Sequence, residues 1–125
     1  MNNKNFLLVH SGIYTLFAVA LFFLPNLMWP IYGVKLNDEY SVFLSQHTSI
    51  FLGGIAIISF FLRKVELKSD IALELMKALM FTNILGFIIT FYAGVIGIFV
   101  GLGWSDPIFF AFLSFISFIQ MKKNK

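Results

Sequence analysis

Apolar residues along this chain gather into four long blocks, and almost all of the charge falls between them. The first block, Phe6 to Leu24, holds no charged residue and approaches the roughly 20 residues that a helix needs to cross a hydrocarbon core. It predicts a transmembrane span over 6–24. A secretory signal would use Lys4 as its charged region and Ala18-Val19-Ala20 as its cleavage site, but the apolar run continues past that point, so cleavage is not expected. The second and third blocks predict spans over 42–62 and 76–100. The third exceeds a single crossing, so it is expected to tilt or to stand partly in the headgroup layer. The fourth, over 106–121, is short, and Lys122, Lys123 and Lys125 can reach outward to complete it.

The connecting stretches carry their own signals. Residues 25–40 are broken by Pro25, Pro30 and Gly33 and hold Trp29, Tyr32 and Tyr40, aromatics that favour the headgroup level. This predicts an interfacial segment, with Leu27 to Val34 lying at the membrane surface and a polar turn at Lys35 to Glu39. Residues 63–75 mix Arg63, Lys64 and Lys68 with Glu66, Asp70 and Glu74, which reads as a solvated loop. Ser69 or Asp70 is the expected N-cap of the next helix, and Glu74 with Lys77 falls at helical spacing. Gly101-Leu102-Gly103-Trp104 ends the third span, and Ser105-Asp106-Pro107 offers a cap and a proline at the first helical position.

Every Lys and Arg except Lys35 lies at the N-terminus, in the 63–77 region or at the C-terminus. The positive-inside rule then puts both termini and the middle loop on the cytoplasmic side, with Trp29 and Trp104 at the opposite interface. The expected fold is all-α: one integral membrane domain over 1–125, built as an antiparallel four-helix bundle with cytoplasmic termini.

Composition agrees with this pattern. With 59% hydrophobic and only 12% charged residues, a chain of 125 residues could not hide its apolar surface as a globule in water, whereas a bilayer solvates it directly. The basic residues flank spans instead of clustering in a groove, so nucleic acid is not an expected partner. The absence of cysteine removes disulfides, thiolate metal sites and a cysteine nucleophile.

In lipid, small residues that let helices approach closely drive association. On the third span Asn83, Gly86, Thr90, Ala93, Gly94, Gly97 and Gly101 share about a third of the helical circumference, and Gly97 and Gly101 stand at GxxxG spacing. The second span places Gln46, Ser49, Gly53 and Ala56 on one stripe, flanked by His47 and Gly54. Gly53, Gly54, Gly86, Gly97, Gly101 and Asn83 are therefore the expected helix-packing residues. Ser11, Thr15 and Ala18 supply the first span's strip, and Ala111, Ser114 and Ser117 the fourth's.

Candidate chemistry is sparse. His10 lies near the cytoplasmic end of the first span and His47 near the outer end of the second, about 15 Å apart in depth, too far for both to ligate one haem iron. No Asp, Glu, Lys or Arg lies within a span's core, which argues against ion-coupled transport. No nucleophile stands beside a base, and no metal-ligand spacing such as His-Glu-x-x-His occurs, so neither catalysis nor a metal site is expected. Two polar levels remain. The inner gathers His10, Ser59, Asn83, Ser117 and Gln120. The outer gathers Gln46, His47 and Ser49 at the depth of Gly94 and Gly97, and is the candidate ligand cleft, with the head of a lipid, quinone or small molecule as its occupant.

The run Pro25-Asn26-Leu27-Met28-Trp29-Pro30-Ile31-Tyr32-Gly33-Val34, followed by Gly53-Gly54 and Arg63, resembles the small four-span bacterial proteins grouped as DoxX-like. The resemblance covers the first two spans and the four-helix plan. It implies a membrane protein of which some relatives are accessory subunits of quinone-linked oxidoreductases. Where many such proteins carry an arginine early in the second span, this chain has Gln46 and His47, and no residue role is carried over. The expected function is a non-enzymatic integral protein of the cell (plasma or inner) membrane: a small accessory or assembly subunit of a larger complex, with electron transfer as one setting. The alternative is a bundle that binds or transports a lipid, quinone or other small ligand. No bound cofactor is expected; the expected partners are membrane lipids and other membrane subunits or further copies of this chain.

Overall fold

The computed structural model describes residues 1–125, which form helices and no strands. The helices are α1 (Asn3–Phe23), α2 (Pro25–Ile31), α3 (Glu39–Phe61), α4 (Asp70–Val95) and α5 (Ser105–Lys123), with a 3-10 turn over Gly101–Trp104 leading into α5. The chain resolves into two compact units, residues 2–64 and residues 65–125 with Met1. Each is an antiparallel hairpin of two long helices.

In the first unit α1 begins at an Asn2 cap, whose Oδ1 accepts the Asn5 N–H at 2.7 Å. It stops at Leu24 because Pro25 has no N–H to continue the ladder and disfavours helical backbone in the residue before it. Pro25 then stands at the first position of α2, where the missing donor costs nothing. The expected 27–34 interfacial segment is thus a seven-residue helix that starts two residues earlier. It closes at Gly33, whose φ of +85° lets Val34 N–H reach Trp29 O at 3.0 Å and Gly33 N–H reach Pro30 O at 3.1 Å, a Schellman closure.

Asp38 caps α3, accepting Ser41 N–H at 2.8 Å and the Ser41 hydroxyl at 2.7 Å. Those bonds, the backbone one first, hold its carboxyl below the usual carboxylate range. The cap is therefore complete above the ordinary carboxylate pKa and is lost as pH falls through the lowered value. α3 consequently starts at Glu39, three residues before the expected 42.

Register between α1 and α3 is set by side-chain donors reaching the carbonyls of the other helix. Ser11 Oγ donates to Ala56 O at 2.9 Å, and Ser45 Oγ donates to Leu21 O at 2.9 Å. Each accepting carbonyl has a second lone pair beyond the one used in its own helix. Between these points a Cβ on Gly53 would lie 3.8 Å from Ala18 Cβ, an ordinary contact, so Gly53 faces α1. Gly54, expected to pack, has nothing within 4 Å of a Cβ, because it is one step of about 100° further round the helix.

In the second unit Ser69 caps α4, accepting Ala72 N–H at 3.1 Å and donating to Glu66 O at 2.8 Å. Glu74 and Lys77 form an ion pair, 2.7 Å on an exposed face. α4 ends at Val95, not near 100. Gly97, at φ +82°, lets Ile98 N–H reach Ala93 O at 2.9 Å and Gly97 N–H reach Gly94 O at 3.2 Å. This second Schellman closure corrects the expected GxxxG face. Gly97 terminates the helix, Gly101 lies beyond it at φ +57°, and neither has a neighbour within 4 Å of a Cβ. Ser105 is not an N-cap either, since α5 continues directly from the 3-10 turn and the Ser105 hydroxyl donates back to Leu102 O at 2.6 Å.

The face of α4 that meets α5 runs through Asn83, Gly86, Thr90 and Gly94. Asn83 Nδ2 donates to Ser117 Oγ at 3.3 Å, and Ser117 Oγ donates to Leu113 O at 2.8 Å. The Phe110 ring fills the space over Gly86 and the Trp104 ring the space over Gly94. Replacing Gly86 with Ala would put Cβ 2.5 Å from the Phe110 ring, so it is expected to lower stability by about 1–3 kcal/mol, read as a reduced thermal midpoint in detergent. Gly54→Ala, with open space around it, should leave that midpoint unchanged or raise it, since a helix-interior glycine is removed.

Candidate functional site

The polar stretch Ser45 to Ser49 lies on α3 close to where α1 ends and α2 begins. Trp29 Nε1–H donates to Ser45 Oγ at 2.8 Å, and Ser45 in turn donates to Leu21 O. One hydroxyl thereby ties α2 and α1 to α3, with the indole and the hydroxyl both satisfied. Gln46 is half-buried and its amide Nε2 donates to Phe22 O at 3.3 Å. Ser49 is buried and donates to Gln46 O at 2.5 Å, while the exposed Thr48 bonds back to Leu44 O at 2.8 Å. The polarity of this stretch is therefore spent mostly inside the hairpin.

His47 is the exception. The buried residues of α3 are Ser45, Ser49, Ala56 and Ser59, and at 100° per residue His47 stands roughly 160–200° away from each of the first three. It is exposed and makes no hydrogen bond. Its ring sits between Phe43 and Phe51, with centroids at 5.8 and 5.5 Å, one turn to either side on a face shared with the exposed Leu44 and Ile50.

In the expected cleft, then, Gln46 and Ser49 belong to the packed side of α3 and His47 to the outer side. Gly94 belongs to the second unit and is covered by the Trp104 indole, whose atoms would lie 2.8 Å from a Cβ there. Gly97 lies in the turn after α4. The room expected at Gly94 is occupied by a side chain of the same hairpin. Sequence reasoning missed the Trp29–Ser45–Leu21 relay, because nothing in a string of residues couples positions 16 and 24 apart.

The inner polar residues are each buried. His10 stacks on Tyr14, with centroids 4.6 Å apart and planes at 13°, and meets Phe6 at 5.7 Å. Ser59 Oγ is fully buried and has no hydrogen-bond partner. The α1–α3 register puts His10 level with the Ala56 region and His47 level with the end of α1, a separation of about 15 Å. The two imidazoles cannot share one iron, and no three His, Asp or Glu side chains converge on a common point.

α1, α3, α4 and the Gly101–Lys123 segment are each long and apolar enough to cross a membrane. Large apolar side chains such as Leu16, Phe23, Phe61 and Leu85 stand outward on them. This defines the class: an all-α chain built for integration into a membrane. Comparisons with protein-family models, with curated proteins and with solved structures find no match to this chain.

Replacing Ser45 with Ala removes the acceptor that Trp29 Nε1–H uses and one of the two hydroxyl–carbonyl ties between α1 and α3. A loss of about 1–3 kcal/mol is expected, together with a shifted tryptophan emission as α2 loosens. Thr48→Val, which breaks only a bond within one turn, should change neither.

Proposed function

We propose that this chain is a four-span antiparallel bundle of the cell membrane, with its termini and the middle loop on the cytoplasmic side, acting as a non-enzymatic accessory or assembly subunit of a larger membrane complex. The observation that carries the reading is His47. Eight residues from the start of α3, it lies about 12 Å along the helix, within the depth of one hydrocarbon leaflet. An imidazole left unbonded there is costly, and histidines in spans almost always face protein or water. A hydroxyl can bond back to its own helix, as Thr48 does, but the longer imidazole on the outer face has no such recourse. The polar neighbours Ser45, Gln46 and Ser49 are committed to other groups. A polar group from a second subunit is the simplest partner.

The ligand-cleft alternative has less support, because Gln46 donates to Phe22 O and the space over Gly94 is filled.

Purification in mild detergent is expected to recover a stoichiometric membrane partner. His47→Leu should weaken that association by roughly fivefold, the scale of one interhelical hydrogen bond of about 1 kcal/mol, while leaving the thermal midpoint of the isolated chain unchanged. A stable lone monomer in mild detergent, or equal recovery of the partner with the Leu variant, would overturn the reading.

A further inference from the structure

Lys68 is the one non-glycine residue of the chain with positive φ, at +63°. Lysine is an unfavourable choice for left-handed backbone, where glycine carries no such strain. The turn is held in place from α5. The Lys68 N–H donates to Asn124 Oδ1 at 3.2 Å, and Asn124, itself buried, donates through Nδ2 to Gln120 O at 2.9 Å. Asn124 stands between Lys123 and Lys125, so this clamp sets the Lys68 turn against the basic end of α5.

Lys68, Lys122, Lys123 and Lys125 are all exposed, and none of them pairs with a carboxylate. Lys122 Nζ lies 5.4 Å from the centroid of Phe118, so its ammonium is drawn back along the helix toward the apolar span. Lys123 Nζ donates to Met1 O at 3.4 Å, leaving donors to spare. The acidic side chains nearest in sequence are Glu66 and Asp70, both exposed, so among side chains cations outnumber carboxylates at this end by four to two.

We infer that this end of the 65–125 unit binds the headgroup phosphate of an anionic phospholipid. The ammonium groups of Lys68 and Lys122 contact the phosphate, Lys123 and Lys125 supply the surrounding field, and Phe118 lies against the upper acyl chain. Charge complementarity selects an anionic over a zwitterionic lipid, because each lysine near such a surface favours it measurably. The strained turn is retained because a glycine there would hold the backbone but carry no charge. This inference is independent of any partner subunit.

The test uses the full chain in nanodiscs of phosphatidylcholine with and without phosphatidylglycerol, where both leaflets offer the same lipid and insertion direction drops out. Phosphatidylglycerol is expected to raise the thermal midpoint and to stay bound in native mass spectrometry. Lys68→Gly relieves the backbone and removes the ammonium, so it should keep or raise the midpoint in phosphatidylcholine while weakening phosphatidylglycerol retention about fivefold. Lys122→Gln should add a similar loss. Unchanged retention in the Lys68→Gly, Lys122→Gln double variant would overturn the assignment, and so would an equal rise in midpoint with inorganic phosphate alone.

Discussion

The constraint on which this structure depends is that a polar group withdrawn from water is costly without a hydrogen-bond partner. Ser11 and Ser45 meet it by donating to carbonyls of the neighbouring helix, and in doing so they fix how α1 and α3 slide and rotate against one another. Apolar contacts alone could not do this. Lipid tails are as good a neighbour for Leu or Phe as another helix is, so shape and a few directed bonds decide the pairing. The 65–125 unit reaches the same result with other means: Asn83 bonds Ser117 across the hairpin, and the rings of Phe110 and Trp104 settle onto the bare backbone of Gly86 and Gly94.

Glycine thus serves two purposes that spacing alone does not separate. Gly86 and Gly94 open the surface of a helix to a ring, while Gly33 and Gly97 end helices by adopting positive φ. Gly97 fits both descriptions on paper, since it continues the α4 stripe and also stands four residues before Gly101. What decides is the competition for carbonyls at the helix end. The Ile98 and Gly97 amides satisfy Ala93 and Gly94 through the turn, and this leaves the stripe without the rest of its length.

Much of the architecture was legible in the sequence because it follows from one-dimensional signals. The apolar blocks gave the four long helices, Pro25 gave the break after α1, and Ser69 was readable as a cap. The boundaries that shifted did so for local reasons, such as the Asp38 cap that starts α3 early. Facing was harder to read. The stripe drawn through Gln46, Ser49, Gly53 and Ala56 is turned from the buried one through Ser45, Ser49, Ala56 and Ser59, and the rotation is set by which carbonyl Ser45 reaches. That partner is 24 residues away, so no local pattern contains it. The candidate site was legible as a place of unusual polarity, but not as two faces with different roles.

His47 and Lys68 carry the functional argument while Gln46 and Asn83 do not. A side-chain amide that bonds across a hairpin is accounted for by the folding of that hairpin. His47 is not, because leucine would suit an outward face between Phe43 and Phe51 at lower cost; nor is Lys68, because glycine would suit its backbone. Local choices that agree with the fold at nearly every other position make such departures informative, since a residue held against its local preference gives its advantage elsewhere. On the reading proposed above, the His47 imidazole gains a hydrogen bond from outside the chain and the Lys68 ammonium an anion at the membrane surface.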